Sequence, residues 1–266
     1  MHPDPSRVCE FLREAAEQDI LPRFQALAAG DIMEKKPGDL VTVADLDAER
    51  RLTRLLTEHL PGSHVVGEEG VHDDPALFDT LETVDRLWIL DPVDGTQNFA
   101  TGNTPFTIVL AYLVEGVMRC AWIHDPVADD TAVAEDGSGA WVGDRRLRVA
   151  DGDSVDRMTG LINSNGYGRP HRDAIRAKKA DFAEIIRYGC AGHAYRELAD
   201  GNRHFSIYNR LWPWDHAAGV LIHREAGGYT ARVDGELYRP TERVPGCMSA
   251  PDVDTWQRIH EFLKPD

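Results

Sequence analysis

The chain has 266 residues and a formal net charge of −16 at neutral pH, with 45 acidic side chains against 29 lysines and arginines. That length can bury one large core or two tightly packed halves, and the acidic balance argues against a nucleic-acid-binding protein and against a phosphate pocket without added cations. No apolar run is long enough to span a bilayer and no secretory signal pattern opens the chain, so we expect no membrane partner.

Helices precede strands in the first half of the chain. The spacing of apolar residues predicts a helix at residues 6–27 and a second at 43–60, joined by a polar connector at 31–39. A short strand at 64–66 and a buried apolar strand at 87–90 follow. Turn residues then separate strand-like runs that predict a largely antiparallel sheet, at 106–113, 118–123, 131–134 and 141–149.

Strands and helices alternate in the second half of the chain, from about residue 161 onward. This change of pattern near residue 150 predicts two halves, residues 1–150 and 151–266, with no linker rich in proline, glycine or serine between them. The four cysteines lie far apart without paired spacing, which predicts reduced thiols and a cytoplasmic location rather than a zinc site or a disulfide framework.

The stretch with the most chemical content is Asp91-Pro92-Val93-Asp94-Gly95-Thr96, which directly follows the buried apolar run. Two carboxylates with the free carbonyl of Val93 between them are oxygen ligands of the kind that Mg²⁺ prefers. Gly95 lets the backbone approach a ligand closely, and the amides after it suit a phosphate if they open a helical turn. A strand followed by an ordinary Asp-Pro and Asp-Gly turn is the alternative.

Three further acids stand where a predicted element begins or ends. Glu68 follows the short strand and lies between two glycines, Asp45 lies in the first turn of the second helix, and Asp215 lies where a long later helix begins. Each also has a simpler explanation, because an acidic turn is readily solvated and the helix dipole favours acids in a first turn.

Taken together, these segments resemble the signature of the inositol monophosphatase family, whose members are Mg²⁺-dependent, lithium-sensitive phosphomonoesterases. The matching segments are Gly38-Asp39-Leu40-Val41-Thr42 with Asp45, Gly67-Glu68-Glu69, Asp91-Pro92-Val93-Asp94-Gly95-Thr96 with Asn98-Phe99, and Trp214-Asp215-His216-Ala217-Ala218-Gly219 with Glu225-Ala226-Gly227-Gly228. The resemblance implies a layered sandwich of alternating helices and sheets, of the inositol monophosphatase and fructose-1,6-bisphosphatase type, in the α+β or α/β class.

The resemblance also implies roles for individual residues. The metal ligands that it implies, for two or three Mg²⁺ ions, are Glu68, Asp91, the Val93 carbonyl, Asp94 and Asp215, with Glu69 as a weaker or supporting ligand. Gly95 and Thr96 would receive the phosphate, and Asp45, Thr96 and Glu68 would be catalytic beside the attacking water. Residues on the substrate side would be Gly189, Cys190 and Ala191, in a turn of small residues, together with Tyr208 and Arg210.

Tyr208 and Arg210 depart from the pattern of the inositol-specific members. Tyr208 stands where those members carry an acid, seven residues before Asp215, and an arginine cannot accept hydrogen bonds from inositol hydroxyls. It suits a second anionic group instead. We therefore expect a small phosphate ester as substrate, such as an inositol phosphate or a related polyol or sugar phosphate, with fructose bisphosphate, adenosine 3′,5′-bisphosphate and histidinol phosphate as alternatives.

Other interpretations of the chain stay open at this point. The family includes bacterial members that join transcription complexes, so the alternative to an enzyme is a moonlighting interaction protein in such a complex. We also expect the chain to form a homodimer. Cys190 and His193 are spaced as a nucleophile and a base could be, although a small buried cysteine is the favoured explanation. A basic cluster is predicted to form a solvated helix face, or alternatively a substrate-facing patch, from Arg169, His171, Arg172, Lys178 and Lys179.

Overall fold

The computed structural model describes residues 2–163, 168–242 and 244–264. For His171, within these ranges, it describes the backbone but not the side chain. Its helices are α1 (Pro5–Ala15), α2 (Val43–His59), α3 (Glu68–Asp73), α4 (Thr96–Ala100), α5 (Arg169–Lys178), α6 (Ala191–Ala199), α7 (Pro213–Glu225) and α8 (Val253–Leu263). Its strands are β1 (Ile32–Lys36), β2 (Asp39–Thr42), β3 (His64–Gly67), β4 (Arg86–Asp94), β5 (Thr107–Val114), β6 (Val117–Asp125), β7 (Asp130–Glu135), β8 (Gly139–Val142), β9 (Arg145–Arg146), β10 (Thr159–Asn163), β11 (Glu184–Ile186), β12 (Phe205–Tyr208), β13 (Tyr229–Arg232) and β14 (Cys247–Ala250).

The N-terminal segment differs from the predicted elements in two places. The helix expected at 6–27 is α-helical only as far as Ala15 and continues as a π-helical turn at Ala16–Ile20 and a 3₁₀ turn at Leu21–Arg23, because Pro22 cannot donate a backbone hydrogen bond. The prediction of a polar connector at 31–39 is wrong, because β1 and β2 pair there as an antiparallel hairpin. Its polar strands show little apolar alternation, the usual sequence signal of a strand.

A seven-stranded sheet in the order β3-β4-β5-β6-β7-β8-β9 forms the larger core. β3 and β4 are parallel and the other neighbours are antiparallel, which agrees with the largely antiparallel sheet predicted for the first half. Alternate residues of β4 face opposite layers. Trp88 and Leu90 pack with α1 and α2, whereas Leu87 and Ile89 pack with α7, so both faces of this strand are buried.

A five-stranded sheet in the order β11-β10-β12-β14-β13 forms the second core. Side chains of α5 and α8, including Ile175, Trp256 and Ile259, cover one of its faces. α6 and α7 pack together and lie between the two sheets, with α6 touching β5 and β12 and α7 touching β4 and β13. The layers therefore alternate between helices and sheets, which confirms the predicted fold class.

The division of the chain near residue 150 stays a prediction. The seven-stranded sheet uses strands up to Arg146 and the five-stranded sheet begins at Thr159, but α7 packs against strands of both sheets. Within the described ranges, no helix combines the length and the apolar character needed to cross a bilayer. All four cysteines are free thiols.

Candidate metal and phosphate site

The site lies at the carboxyl end of β4, which runs four residues beyond the apolar run at 87–90. Asp91 still pairs with Val109, but the register shifts before Asp94 pairs with Thr107. Pro92 accounts for this irregularity because it has no N–H to donate to the ladder. The strand thus carries both aspartates to the edge of the sheet, as the sequence indicates, but it continues through Asp94 instead of ending at Leu90.

Three carboxylates from three elements converge at this edge. Oxygens of Glu68 at the start of α3, Asp91 in β4 and Asp215 in the first turn of α7 all lie within 4.8 Å of one another. Burial, followed by the negative charge of Glu68, raises the pKa of Asp91 and of Asp215 well above the usual range. Carboxylates this close repel one another unless a cation lies between them, and an all-oxygen donor set fits a hard divalent ion.

Asp94 lies beside this triad and is held by protein donors. Its Oδ2 accepts hydrogen bonds from the Gly192 amide at 2.5 Å, the Cys190 thiol at 3.1 Å and the Thr107 hydroxyl at 3.4 Å. Its charge still acts on Asp91 and Asp215, because it raises the pKa of both. These donors fix the direction in which the Asp94 carboxylate points, a common arrangement for metal ligands.

Cys190 is a donor to Asp94 rather than a nucleophile. It is 4% exposed, and burial together with the charge of Asp94 raises the pKa of its thiol well above the usual range. A protonated thiol is unreactive, which argues against the alternative in which Cys190 and His193 form a nucleophile and base pair.

Cys190→Ala is expected to raise the Mg²⁺ concentration needed for half-maximal activity about tenfold, because partners that orient a metal ligand contribute to metal affinity on this order. Cys190→Ser, which keeps a donor, should restore most of the affinity. The measurement is a Mg²⁺ titration of phosphate release, with Cys120→Ala, a buried cysteine in β6, as the matched control. The same Mg²⁺ requirement in both alanine variants would contradict this role.

Lys35 is a buried cation that the sequence analysis did not place in the site. Its side chain is 4% exposed, and its Nζ lies 2.9 Å from Glu68 Oε1 and 2.7 Å from Glu69 Oε1. The single ammonium group of Lys35 is shared by two carboxylates and lowers the pKa of Glu69. Burial and the charge of Glu68 have the larger, opposite effect and raise the pKa of Glu69 to about 8. The polar pattern of β1 gives no signal for this inward-facing lysine.

Glu49 is a second residue that sequence reasoning missed. This α2 residue accepts hydrogen bonds from the backbone amides of Glu69 at 2.9 Å and Gly70 at 2.7 Å, and so caps the start of α3 that carries Glu68. A Cβ at Gly67 would lie 2.2 Å from Glu49 Oε2, so this cap requires a glycine there. In the sequence Glu49 is indistinguishable from a solvated helix acid.

Asp45 and Thr96 are brought together beside the acidic triad. Asp45 Oδ2 accepts from the Thr42 amide at 2.9 Å and the Thr42 hydroxyl at 2.5 Å, while its Oδ1 lies 3.2 Å from Thr96 Oγ1. Thr96 Oγ1 also lies 2.9 Å from the Val93 carbonyl. Burial raises the pKa of Asp45 to about 6, so this carboxyl can take up a proton near neutral pH.

Gly95 opens α4 in the backbone conformation predicted for a close approach. Its φ is +94°, and a Cβ there would lie 2.9 Å from the Pro105 carbonyl, which explains why glycine is required. Thr96 is then the first residue of α4, so the amides of Gly95 and Thr96 lie at the beginning of a helical turn, which is the condition under which we expect them to suit a phosphate.

A cavity of about 460 Å³ opens beside Asp94 and Asp215. All five predicted substrate-side residues line it: Gly189, Cys190, Ala191, Tyr208 and Arg210. Arg210 extends over the Trp212 ring, with 5.2 Å between its guanidinium carbon and the ring centroid.

Lys179 and Arg187 also line the cavity, whereas Lys178 donates to the carbonyl of Lys264. The basic cluster thus contributes Lys179 to the cavity, while the side chain of His171 lies outside the described part of the chain.

The chain is similar to known proteins over most of its length. A model described as the inositol monophosphatase family matches residues 5–263. A fructose-1,6-bisphosphatase/inositol-1-monophosphatase of Thermotoga maritima is 33% identical over 208 residues, covering 77% of each chain. The Nus factor SuhB of Pseudomonas aeruginosa is 30% identical over 237 residues, covering 83% of this chain and 82% of that protein. A solved IMPase of Thermotoga maritima has a TM-score of 0.81 at 27% identity, covering 96% of this chain and 94% of that one.

Proposed function

Since this chain belongs to the inositol monophosphatase family and is a phosphoric monoester hydrolase, we propose that it releases phosphate from a small phosphorylated metabolite with the help of Mg²⁺. The observation that carries the proposal is the convergence of the carboxylates of Glu68, Asp91 and Asp215. Asp215 also lines the cavity, together with Asp94. Two or three Mg²⁺ ions would be held by these carboxylates and by the Val93 carbonyl.

Mg²⁺, when bound, polarises the phosphoryl oxygens and activates the attacking water. The protein supplies the proton acceptor, because Thr96 Oγ1 can accept the proton of a water while it donates its own to Asp45 Oδ1, 3.2 Å away. The two donors from Thr42 occupy Asp45 Oδ2 and leave Oδ1 for this purpose. The amides of Gly95 and Thr96 would hold the phosphate.

A screen of phosphate monoesters against the purified protein, with and without Mg²⁺, tests this function directly. We expect phosphate release that depends on Mg²⁺ and stops in excess chelator. If none of the esters releases phosphate, the result favours the second candidate function, an interaction protein. The observation that supports this second candidate is the relative described as a Nus factor. We also propose a homodimer without nucleic-acid partners, and a role in a transcription complex as the alternative. A cytoplasmic location is proposed as well, and the four free thiols support it.

The charges that line the cavity favour a substrate with a second anionic group. The lining acids are Asp94 and Asp215, which are both proposed metal ligands, whereas the lining cations are Lys179, Arg187 and Arg210. Once bound Mg²⁺ offsets the aspartates, the cavity has an excess of positive charge in a protein whose net charge is −16. A sugar bisphosphate or another doubly anionic ester is therefore the proposed substrate class.

Arg210→Ala is expected to raise KM for the preferred ester about tenfold and to lower kcat less, because the contact is with a group that does not react. Inositol 1-phosphate should be hydrolysed, but less efficiently than the best doubly anionic ester. Steady-state kinetics measure both effects, with Arg176→Ala on the exposed surface of α5 as the control. An unchanged KM in Arg210→Ala, with inositol 1-phosphate as the best substrate, would contradict the assignment.

Li⁺ is expected to inhibit at millimolar concentrations by replacing one Mg²⁺ held by Asp91, Asp94 and Asp215. This expectation comes from the resemblance to lithium-sensitive members of the family. A titration with LiCl, using KCl to match the ionic strength, measures the effect. Equal rates in the two salts would count against it.

A further inference from the structure

His216 lies directly after the candidate metal ligand Asp215, yet it contacts the substrate side of the cavity. It is 2% exposed. Its Nε2 lies 3.0 Å from the backbone carbonyl of Arg210, and its Nδ1 lies 3.2 Å from the hydroxyl of Tyr195. The imidazole thus connects α6, the first turn of α7 and the segment that carries Arg210.

The direction of these hydrogen bonds follows from their chemistry. A carbonyl can only accept, so Nε2 of His216 must carry the hydrogen and donate it to Arg210. In the tautomer that carries its hydrogen on Nε2, Nδ1 is an acceptor, and the Tyr195 hydroxyl 3.2 Å away is the group that donates to it. The chain of donors therefore runs from Tyr195 through His216 to the backbone of Arg210.

Close packing gives this chain a defined arrangement. The Tyr195 ring lies against Gly219, where a Cβ would be 2.1 Å from a ring carbon. The Tyr195 ring also stacks with Tyr208 at a centroid distance of 6.1 Å. Tyr208 in turn contacts the His216 ring at 4.8 Å. Because small residues of α7 admit the tyrosine, the ring that donates to His216 is held by contacts of its own.

The segment at 209–212 joins β12 to α7 and carries Arg210 into the cavity. Near its ends, the Asn209 carbonyl accepts from the Gly246 amide at 2.9 Å and the Trp212 carbonyl accepts from the Asp215 amide at 3.2 Å. Between these points, His216 holds the Arg210 carbonyl. Arg210 is an exposed residue whose guanidinium lies over the Trp212 ring of the same segment, so its position depends on how firmly this segment is anchored.

We propose that His216 is a positioning residue that sets the preference of the cavity for a second anionic group by anchoring the backbone of Arg210. This inference rests on the proposed function, in which Arg210 contacts the second anion. Loss of the anchor would let the segment at 209–212 move, and the contact would then be weakened although Arg210 itself is still present.

Two substitutions of similar size distinguish a role of His216 as a hydrogen-bond donor to the Arg210 carbonyl from a role that depends only on the volume of its side chain. The amide of His216→Gln can reach the position of Nε2 and keep a donor for the Arg210 carbonyl, whereas the shorter side chain of His216→Asn cannot. The measured quantity is the ratio of kcat/KM for fructose 1,6-bisphosphate to that for fructose 1-phosphate, which differ by one phosphate. We expect His216→Asn to lower this ratio about tenfold, as Arg210→Ala does, and His216→Gln to restore most of it.

His223→Asn is the matched control for loss of stability. His223 lies on the same helix, is 1% exposed and contacts the Thr230 hydroxyl at 2.9 Å instead of the cavity. Thermal unfolding of both asparagine variants shows how far each change destabilises the protein. His223→Asn should leave the substrate ratio at the wild-type value even where it lowers the melting temperature.

The double variant Arg210→Ala with His216→Asn decides whether the two residues act together. If His216 acts through Arg210, the double variant has the ratio of Arg210→Ala alone. Multiplied effects in the double variant, or a wild-type ratio in His216→Asn, would overturn the inference. A wild-type ratio in Arg210→Ala would overturn it together with the role of Arg210. Failure of the proposed function looks different, because the wild-type protein would then release no phosphate from either sugar ester with Mg²⁺.

Discussion

Asp94→Asn is expected to lower kcat about 100- to 1,000-fold while the protein stays folded. The asparagine keeps an oxygen that can accept from the Gly192 amide, now 2.5 Å from Asp94 Oδ2, so the surrounding packing need not change. It removes one charge from the metal site, and the stabilisation that a metal gives to the transition state is worth several kcal/mol.

Stability of the metal-free Asp94→Asn variant should equal or exceed that of the wild type. The charge of Asp94 raises the pKa of Asp91 and of Asp215, which means that these carboxylates repel one another without a cation. Phosphate release at saturating Mg²⁺ and thermal unfolding in chelator are the two measurements, with the exposed Asp144→Asn as control. Full turnover by Asp94→Asn, or turnover in excess chelator, would rule out the metal assignment.

Lys35→Met is expected to lower the free energy of unfolding by about 3–5 kcal/mol in the absence of metal, the usual cost of breaking a buried ion pair. The substitution keeps the volume of the stem but removes the ammonium that lies within 2.9 Å of both Glu68 and Glu69. Lys36→Met, the same change at the exposed neighbouring residue, should change the free energy of unfolding by less than about 0.5 kcal/mol.

The loss caused by Lys35→Met should be smaller at pH 6 than at pH 9. Lys35 lowers the pKa of Glu69, which is nevertheless raised to about 8, so losing Lys35 raises that pKa further. Toward pH 9 the folded variant therefore still binds a proton that the folded wild type has released and that the unfolded chain, with an ordinary glutamate pKa, does not bind. A folded state that binds more protons than the unfolded state loses stability as the pH rises. Urea unfolding at the two pH values, without and then with Mg²⁺, measures this. Equal losses for Lys35→Met and Lys36→Met would contradict the role of Lys35.

The candidate metal ligands could be predicted from sequence because each lies at the end of an element whose pattern is local. Glu68, Asp91 and Asp215 follow an apolar strand or begin an apolar helix, and the structure brings these three together. Their order along the chain carried the resemblance to the family. The ends of the elements were less accurate, since β4 continues through Asp94 by way of an irregular pairing that no apolar pattern indicates.

The supporting residues could not be predicted because their contacts join distant parts of the chain. Lys35 reaches Glu69 from a hairpin whose polar strands gave no signal, and Glu49 caps a helix that begins 19 residues later. His216 sits within a recognised segment, but its hydrogen bond to Arg210 depends on how β12 turns into α7. Sequence patterns record burial and periodicity, whereas these roles depend on which elements become neighbours.

The place of α7 between the two sheets bears on how this chain could be cut or rejoined. By sequence α7 belongs to the second half, yet Ala217, Ala218 and Leu221 complete the core of the first half's sheet. A fragment that ended near residue 150 would leave one face of that sheet open to water, and the complementary fragment would carry an uncovered helix. An engineered split of the protein, or new termini made by circular permutation, would therefore have to keep α7 with β4 and β5. The same requirement keeps Asp215 in a constant position relative to Glu68 and Asp91.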